Sequence, residues 1–258
     1  MVEKLTHKLD LLNLNSKIIG KKVFHFNKIQ STNLYAKKLV NENIDEGTIV
    51  IADVQTKGRG RKNRSWVSPY GGLWFSVILY PDIIPKRGMA ITMAASISVS
   101  QAIKDITGLK TKIKWPNDVL LNDKKVCGIL TELNADIKKI KNAIVGIGIN
   151  VNNKVDEELK EIATSLKQEF GSEVTSLRLL GLTLENFDNN YEKLKINDFE
   201  YIKKIWLSYS NIIGKKVKIT EENTMIVGVV KDIDDNGYLI LKTDNGIKNV
   251  LNGDIIYL

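Results

Sequence analysis

A stretch that alternates glycine with basic residues holds the densest set of charged donors in the chain. It reads DVQTKGRGRKNRSW over residues 53–66. Arg59, Arg61 and Arg64 could present planar pairs of N–H donors to carboxylate or phosphate oxygens. Trp66 offers a flat face on which an adenine ring could stack. These residue types favour an anionic ligand. That ligand could be a small phosphorylated molecule or a nucleic acid.

The two glycines of this stretch predict a backbone that comes close to a ligand. Gly58 and Gly60 lack a Cβ and can adopt conformations that other residues avoid, so a loop of this composition could close over a bound molecule. Short basic motifs also arise by chance. Taken alone, the stretch fits a solvent-exposed basic patch equally well.

A second group of polar residues lies in the segment KWPNDVLLNDKKVCG. The pattern predicts two strands, KIKWPNDVLL and KKVCGILTELN, joined by a hairpin turn at NDK. Pro116 fixes the backbone locally, and Asn117 and Asp118 place polar groups at the base of the hairpin. Lys125 opens the return strand and could neutralise a phosphate or carboxylate, while Gly128 leaves space beside it. An ordinary hairpin with exposed lysines is the alternative.

Two shorter motifs complete the set of possible binding residues. Ser31, Thr32 and Asn33 follow a predicted strand and precede a predicted helix, where amides and hydroxyls could hold a small polar ligand or simply cap the helix. GIGIN lacks the glycine-rich strand-to-helix turn of a dinucleotide fold. It is better interpreted as a central strand with Asn150 at its polar end.

The surrounding elements predict an α+β fold. Strands are predicted at GKKVFHFN, GTIVIADVQ, GGLWFSVILY and NAIVGIGINVN, and helices at STNLYAKKLVNEN, residues 86–106 and much of 157–204. The first twenty residues hold at most one short amphipathic helix. After WLSYSNIIGKKV, short strands and tight turns predict a small barrel. We therefore expect a catalytic domain at 1–209, with a short extension at 1–20, and a second domain at 210–258.

Composition excludes several classes of protein. The 258 residues are 43% hydrophobic and carry a formal net charge of +8, which suits a globular protein with an anionic partner. Cys127 is the single cysteine, so no intrachain disulfide forms, and with His7 and His25 alone a Cys/His zinc site is not available. The sequence has neither a secretory signal nor an apolar stretch of bilayer length. We expect a cytoplasmic protein without a membrane segment.

Four motifs in fixed order, STN, GRGRKNRSW, KWPNDVLLNDKKVCG and GIGIN, closely resemble the biotin–protein ligase family. The resemblance covers roughly residues 20–165, and the predicted C-terminal barrel is similar to the small SH3-like domain of that family. It implies a catalytic domain related to class II aminoacyl-tRNA synthetases, with a mixed sheet and helices. It also implies ATP and biotin as substrates, Mg²⁺ as a cofactor and a biotin carboxyl carrier protein domain as the acceptor.

The resemblance also implies a role for individual residues. Those that match biotin-binding positions are Ser31, Thr32, Asn33, Gln55, Arg59, Gly60, Arg61, Lys125 and Gly128. Those that match nucleotide-binding positions are Arg59, Arg61, Arg64, Trp66, Asn117, Lys125 and Asn150. Catalysis is implied for Lys125, Arg61 and Asp118, where Asp118 either positions Lys125 or serves the acceptor amine. No metal ligand is assigned to the protein itself.

Two alternative functions stay open. A lipoate–protein ligase shares the fold, but its arginine- and glycine-rich signature ending in histidine is missing, because neither His7 nor His25 has such a context. A non-enzymatic nucleic-acid-binding protein would explain the basic loop, but not KWPND or its spacing to Lys125. Some family members carry an N-terminal winged helix-turn-helix of about sixty residues. Only some twenty residues precede the first predicted strand here, so we expect no sequence-specific DNA binding, and a homodimer is possible.

Overall fold

Two β-sheets and five α-helices make up the part of the chain that the computed structural model describes, residues 14–221 and 224–258. The short helix predicted in the first twenty residues falls largely on residues 1–13, which lie outside the described residues. Within the described ranges no helix is long and apolar enough to cross a bilayer.

The larger sheet is mixed and has the strand order β1-β2-β3-β7-β6-β5-β4 among the described residues. Only β1 and β2 run parallel, and the other neighbours pair antiparallel. Its strands are β1 Val23–Ile29, β2 Ile49–Gln55, β3 Leu73–Leu79, β4 Lys112–Lys114, β5 Asp118–Leu121, β6 Lys124–Ala135 and β7 Ile140–Ile149. The apolar runs that predicted β1, β2, β3 and β7 are confirmed.

Helices cover both faces of this sheet. They are α1 Thr32–Val40, α2 Gly88–Thr107, α3 Leu166–Phe170, α4 Ser176–Lys195 and α5 Phe199–Tyr209, with 3₁₀ turns at Arg61–Asn63, Pro85–Arg87 and Glu157–Leu159. The predicted long helix is confirmed as α2, which ends where Gly108 takes a left-handed conformation with φ of 71°. The segment predicted as helical after residue 157 is divided into α3, α4 and α5.

The alternation of side chains along β7 shows which face carries which core. Val145, Ile147 and Ile149 point into the main core that the sheet forms with α2, α4 and α5. Ile144 points the other way, into a smaller core under α1. Gly146 and Gly148 follow Ile144 on that second face, so the strand continues past α1 without side chains. This leaves an open floor beside the start of α1.

One predicted strand was wrong. KIKWPNDVLL is not continuous: β4 and β5 are two short antiparallel strands, and Trp115–Asn117 forms the turn between them. Pro116 has no N–H to donate to a ladder, which is why a strand does not run through it. The predicted turn at NDK is confirmed, since Asn122 and Asp123 lie between β5 and β6 with φ of 48° and 64°.

The smaller sheet is antiparallel throughout its described part and has the order β11-β10-β9-β8-β12. Its strands are β8 Lys216–Glu221, β9 Thr224–Ile233, β10 Leu239–Thr243, β11 Gly246–Val250 and β12 Asp254–Tyr257. Buried residues of this sheet belong to the same hydrophobic cluster as the main core. Trp115 Nε1 donates to Gly237 O at 3.2 Å, and Lys203 pairs with Asp232 at 3.0 Å. The smaller sheet is therefore packed against α5 and against the turn between β4 and β5.

Candidate functional site

A cavity of about 360 Å³ lies beside the start of α1, over the open floor of β6 and β7. The basic loop, defined as residues 57–66 between β2 and β3, forms part of its wall, and Asp254 of the smaller sheet reaches it. The cavity brings together every residue that the sequence assigned to biotin, ATP or catalysis: Ser31, Thr32, Asn33, Gln55, Arg59, Gly60, Arg61, Arg64, Trp66, Asn117, Asp118, Lys125, Gly128 and Asn150.

The first end of the cavity is a buried polar network at the start of α1. Ser31 is the N-cap, but its side chain makes no capping hydrogen bond. Gln55 Oε1 instead accepts from the Thr32 amide at 2.8 Å and from Thr32 Oγ1 at 3.1 Å. Gln55 Nε2 donates to Ser68 Oγ at 2.9 Å. The end of β2 thus holds the start of the helix, which explains why Gln55 lies beside the STN motif.

Asn33 is fixed from two sides by residues that the sequence did not single out. Its Nδ2 donates to Glu132 Oε2 at 2.9 Å, and its Oδ1 accepts from Ser76 Oγ at 2.6 Å. A Cβ on Gly146 would lie 2.2 Å from Asn33 Oδ1, so only glycine leaves room for this side chain. The first glycine of GIGIN therefore serves Asn33 and not a phosphate.

The sequence gave little indication that Ser76 and Glu132 belong to the site. Ser76 is the one polar residue in the otherwise apolar strand LWFSVIL, and it is fully buried. A lone buried hydroxyl needs a partner, which is the one local hint that the sequence gave. Glu132 gave none, because its neighbours in KKVCGILTELN show only strand character. We call Thr32, Asn33, Gln55, Ser76 and Glu132 the polar network.

The basic loop is a small hairpin. Gly60 N donates to Arg64 O at 2.8 Å, and Trp66 N donates to Gly58 O at 2.9 Å. The expectation that Gly58 and Gly60 would take conformations closed to other residues was wrong, because the left-handed positions are Lys62 and Asn63, with φ of 52° and 58°. Gly58 is needed for space instead, since a Cβ there would lie 2.3 Å from Trp66 O.

The cations of the loop point in two directions. Arg59 Nη1 pairs with Glu132 Oε1 at 3.1 Å, which joins it to the polar network. Arg61 Nη1 donates to Asn117 Oδ1 at 2.9 Å, and burial lowers the pKa of its guanidinium. Arg64 pairs with Asp254 of the smaller sheet. Only Arg59 therefore faces the polar network.

Lys125 lines the cavity. Its Nζ is 2.7 Å from Asp118 Oδ1, in an ion pair without hydrogen-bond geometry, and 5.0 Å from the centre of the Trp66 ring. A Cβ on Gly128 would lie 3.0 Å from Lys125 Cε and 2.9 Å from Trp66 Cζ3. A Cβ on Gly148 would lie 2.4 Å from Trp66 Nε1. The two glycines thus make room for a cation stacked on an aromatic ring.

The two asparagines predicted near the nucleotide, Asn117 and Asn150, are both held by protein partners. Asn117 Nδ2 donates to Ile129 O at 2.8 Å while its Oδ1 accepts from Arg61. Asn150 is buried, donates to Thr164 O at 3.0 Å and accepts from Asn153 at 3.1 Å. Because both side-chain amides have protein partners, Asn117 and Asn150 form fixed parts of the cavity wall.

Cys127 follows Lys125 by two residues but lies below the floor, in the main core. Burial raises the pKa of its thiol well above the usual value, and the charge of Lys125 offsets only part of that rise. A thiol of this kind is protonated at neutral pH and is a poor nucleophile. The interpretation of Cys127 as a structural residue agrees with this position.

Two family models match the chain. One is described as the biotin/lipoate A/B protein ligase family and matches residues 23–150, which include all four motifs. The other is described as the biotin protein ligase C terminal domain and matches residues 212–257, the smaller sheet.

Individual relatives agree with these models. The chain is 40% identical to the bifunctional ligase/repressor BirA of Bacillus subtilis, over 98% of this chain and 79% of that one. It is 30% identical to the biotin–[acetyl-CoA-carboxylase] ligase of Paracoccus denitrificans, over 89% of this chain and 98% of that one. The biotin protein ligase from Aquifex aeolicus, solved in complex with biotin and ATP, superposes with a TM-score of 0.80 at 34% identity, over 92% of this chain and 99% of that one.

These likenesses cover both sheets and nearly the whole chain. The family predicted from the four motifs is thereby confirmed, and the lipoate alternative is not favoured. The chain belongs to the biotin–protein ligase family.

Proposed function

We propose that this chain attaches biotin to a lysine of a biotin carboxyl carrier protein domain in two steps that consume ATP. In the first step, an oxygen of the biotin carboxylate attacks the α-phosphorus of ATP and pyrophosphate leaves, giving biotinyl-5′-AMP. In the second, the lysine amine attacks the carbonyl carbon of this mixed anhydride, an amide forms, and AMP and a proton leave. The observation that carries the proposal is that one cavity is lined by the residues assigned to biotin, the residues assigned to ATP and Lys125.

The polar network suits the head group of biotin, which is neutral and offers both N–H donors and a carbonyl acceptor. Thr32 and Asn33 of the network, together with the neighbouring Ser31, supply hydroxyl and amide groups at 2–4% exposure. Buried polar groups of this kind reject ligands that cannot satisfy them. We therefore place the head group against this end of the cavity, with the carboxylate directed toward Lys125.

The first step brings two anions together, so cancelling their repulsion is the main requirement for catalysis. Lys125 and Arg61 line the cavity and carry positive charge. We propose that both stabilise the oxygens around the α-phosphorus as negative charge builds up there. Arg59 is already paired with Glu132, and we assign it to the biotin side.

The nucleotide is placed on the far side of Lys125. We propose that the adenine contacts Trp66, with Arg64 and Asn117 near the phosphates and ribose. Gly128 and Gly148 keep the space around the indole open. Asn150 is assigned to the same region, and its hydrogen bonds to Thr164 and Asn153 fix the orientation of its side chain.

Asp118 has two conceivable roles, and its position favours one. Its Oδ1 lies 2.7 Å from Lys125 Nζ, so the carboxylate holds the ammonium in place over Trp66. We propose that Asp118 positions Lys125 during the first step. Service to the acceptor amine would require Asp118 to exchange this partner.

Magnesium is assigned to the substrate. In residues 14–221 and 224–258 no group of three or more His, Cys, Asp or Glu side chains is arranged to hold a metal ion. Magnesium typically binds through nucleotide phosphates and one or two carboxylates, and keeps several waters. We propose that Mg²⁺ enters bound to the phosphates of ATP.

The remaining assignments concern organisation and surroundings. We propose a domain boundary between residues 209 and 210, because α5 ends at Tyr209 and β8 begins at Lys216. A cytoplasmic location, a homodimer and the lack of sequence-specific DNA binding stay predictions. Fluorescence titration with operator DNA at physiological salt and light scattering at several protein concentrations test the last two.

Pyrophosphate exchange into ATP tests the proposed function. Purified protein with Mg²⁺ is incubated with biotin, with lipoate or with neither, and labelled ATP is measured. We expect exchange that requires biotin, because only the first step is needed for it. Exchange with lipoate alone would show that lipoate, and not biotin, is the substrate. No exchange from folded protein would contradict the proposal and favour a nucleic-acid-binding role.

A further inference from the structure

We propose that Asp254 of the smaller sheet is a positioning residue that holds the basic loop over the cavity. The loop and the segment that holds it then come from two distant parts of the chain, one in the larger sheet and one in the smaller. The identity of the molecule under the loop rests on the proposed function. The contact between Asp254 and the loop does not depend on that function.

The contacts between the loop and the smaller sheet fall on one short segment. Asp254 Oδ2 lies 3.2 Å from Lys62 Nζ and also pairs with Arg64. Arg61 Nη2 donates to Gly253 O at 3.3 Å and contacts Asn252 as well. Three of the loop's cations therefore meet three consecutive residues at the start of β12.

The two sides of this contact differ in how firmly they are held. Asp254 pairs with Thr220 in the ladder between β12 and β8, and Ile255, the next residue, is buried in the core. The 3₁₀ turn Arg61–Asn63 contains no apolar side chain, and none of its residues is fully buried. A segment without buried apolar contacts opens easily. The position of the loop over the cavity thus depends on polar contacts, and Asp254 supplies the charge for two of them.

The strength of the contact suits a lid that must also open. The side chains of Lys62, Arg64 and Asp254 are 34%, 67% and 35% exposed, so each pair is screened by solvent. Burial alone would raise the pKa of Asp254, but the hydrogen bonds and charges of Lys62 and Arg64 outweigh it and hold that pKa below its usual value. The carboxylate is therefore charged at neutral pH, and salt weakens its pairing with Lys62 and Arg64.

The loop offers a direct readout, because trypsin cleaves after lysine and arginine. We compare the unmodified protein with Asp254→Asn and Asp254→Glu, without ligands, and map the first cuts by mass spectrometry. Asp123→Asn is the matched control, since Asp123 pairs with Lys112 at 2.8 Å on an exposed turn of the larger sheet. Thermal melting followed by circular dichroism checks that every variant is folded.

We expect Asp254→Asn to be cut after Lys62 and Arg64 about fivefold faster than the unmodified protein, because cleavage follows the population of the open loop. Asp254→Glu should restore much of the protection, and Asp123→Asn should leave the rate unchanged. Raising the salt concentration should speed cleavage of the unmodified protein toward that of Asp254→Asn. Equal rates for Asp254→Asn and the unmodified protein at low salt would overturn the proposal.

A second measurement connects the contact to the reaction. If the loop retains the adenylate, Asp254→Asn should release biotinyl-AMP several-fold faster than the unmodified protein. Faster trypsin cleavage with unchanged adenylate release would overturn the lid role. Trypsin cleavage needs neither biotin nor ATP. The proposed role of Asp254 and the proposed function can therefore be contradicted separately.

Discussion

The two ends of the cavity are built in opposite ways. At the polar network, Thr32, Asn33 and Ser76 are 0–4% exposed and hydrogen bond to one another or to neighbouring side chains. At the basic loop, Arg64 is 67% exposed and its partner is a carboxylate of the other sheet. Buried networks fix one geometry, whereas exposed ion pairs form and break at little cost.

This difference teaches how one site could serve two substrates of different chemistry. A neutral, rigid head group is best selected by buried groups that cannot adjust. A flexible polyphosphate and a reactive adenylate are better served by cations that move to meet them and then exclude water. Lys125 contacts Trp66 of the basic loop and Asp118 on the sheet, and is thus held by both parts of the fold.

Replacing Lys125 should have the largest effect. We expect Lys125→Ala to lower the rate of adenylate formation by at least ~100-fold, because it removes a preorganised cation from the reacting oxygens. Lys124→Ala is the matched control, since Lys124 Nζ contacts only Lys160 O at the surface. Pyrophosphate exchange and circular dichroism measure activity and fold. Full activity in Lys125→Ala would remove this lysine from the site.

Substitution of two glycines tests the two ends of the cavity independently. Gly146→Ala places a Cβ against Asn33, and Gly148→Ala places one against Trp66. We expect the first to raise KM for biotin and the second to raise KM for ATP, each by about tenfold, as overpacking of 1–3 kcal/mol implies. Steady-state exchange with each substrate varied measures both constants. If both variants changed the same constant, the division of the cavity would be wrong.

The basic loop should show a smaller and different effect. We expect Arg61→Gly still to form biotinyl-AMP, more slowly because a cation is lost from the reacting oxygens. It should release the adenylate about tenfold faster, because a loosened lid costs on the order of 1.4 kcal/mol of retention. Lys57→Gly is the control, because Lys57 lies in the same loop but does not line the cavity. Filter-bound adenylate, chased with unlabelled ligand, gives the rate. A variant that makes no adenylate would contradict the lid role.

The sequence predicted more of the rigid end than of the loop. Apolar runs and turn residues located β1, β2, β3, β7 and α2, because local periodicity and burial agree there. The STN motif pointed to the residues of the network through family resemblance. Ser76 and Glu132 were missed, because their roles arise from the register of neighbouring strands and not from their own neighbours in sequence.

The loop could not be predicted in the same way. Its glycines suggested freedom of the backbone, yet Lys62 and Asn63 take the left-handed conformation. Its contact with Asp254 joins residues about 190 positions apart, and no local pattern carries that information. Pro116, by contrast, was visible and should have divided the predicted strand into β4 and β5, since proline is excluded from the interior of a ladder.

The smallest effect is expected for the reactivity of the Cys127 thiol. Its measurement tests whether the floor of the cavity is as rigid as the polar network. Burial raises the pKa of its thiol, so the reactive thiolate is scarce at pH 8 and the sulfur is covered by the core. We expect Ellman's reagent to find no thiol in the native protein and one per chain in urea. Biotin and ATP should leave this result unchanged, while they slow trypsin cleavage of the loop. Rapid reaction of the native thiol would show that the sheet under Lys125 opens as readily as the loop above it, and the contrast between the two ends would fail.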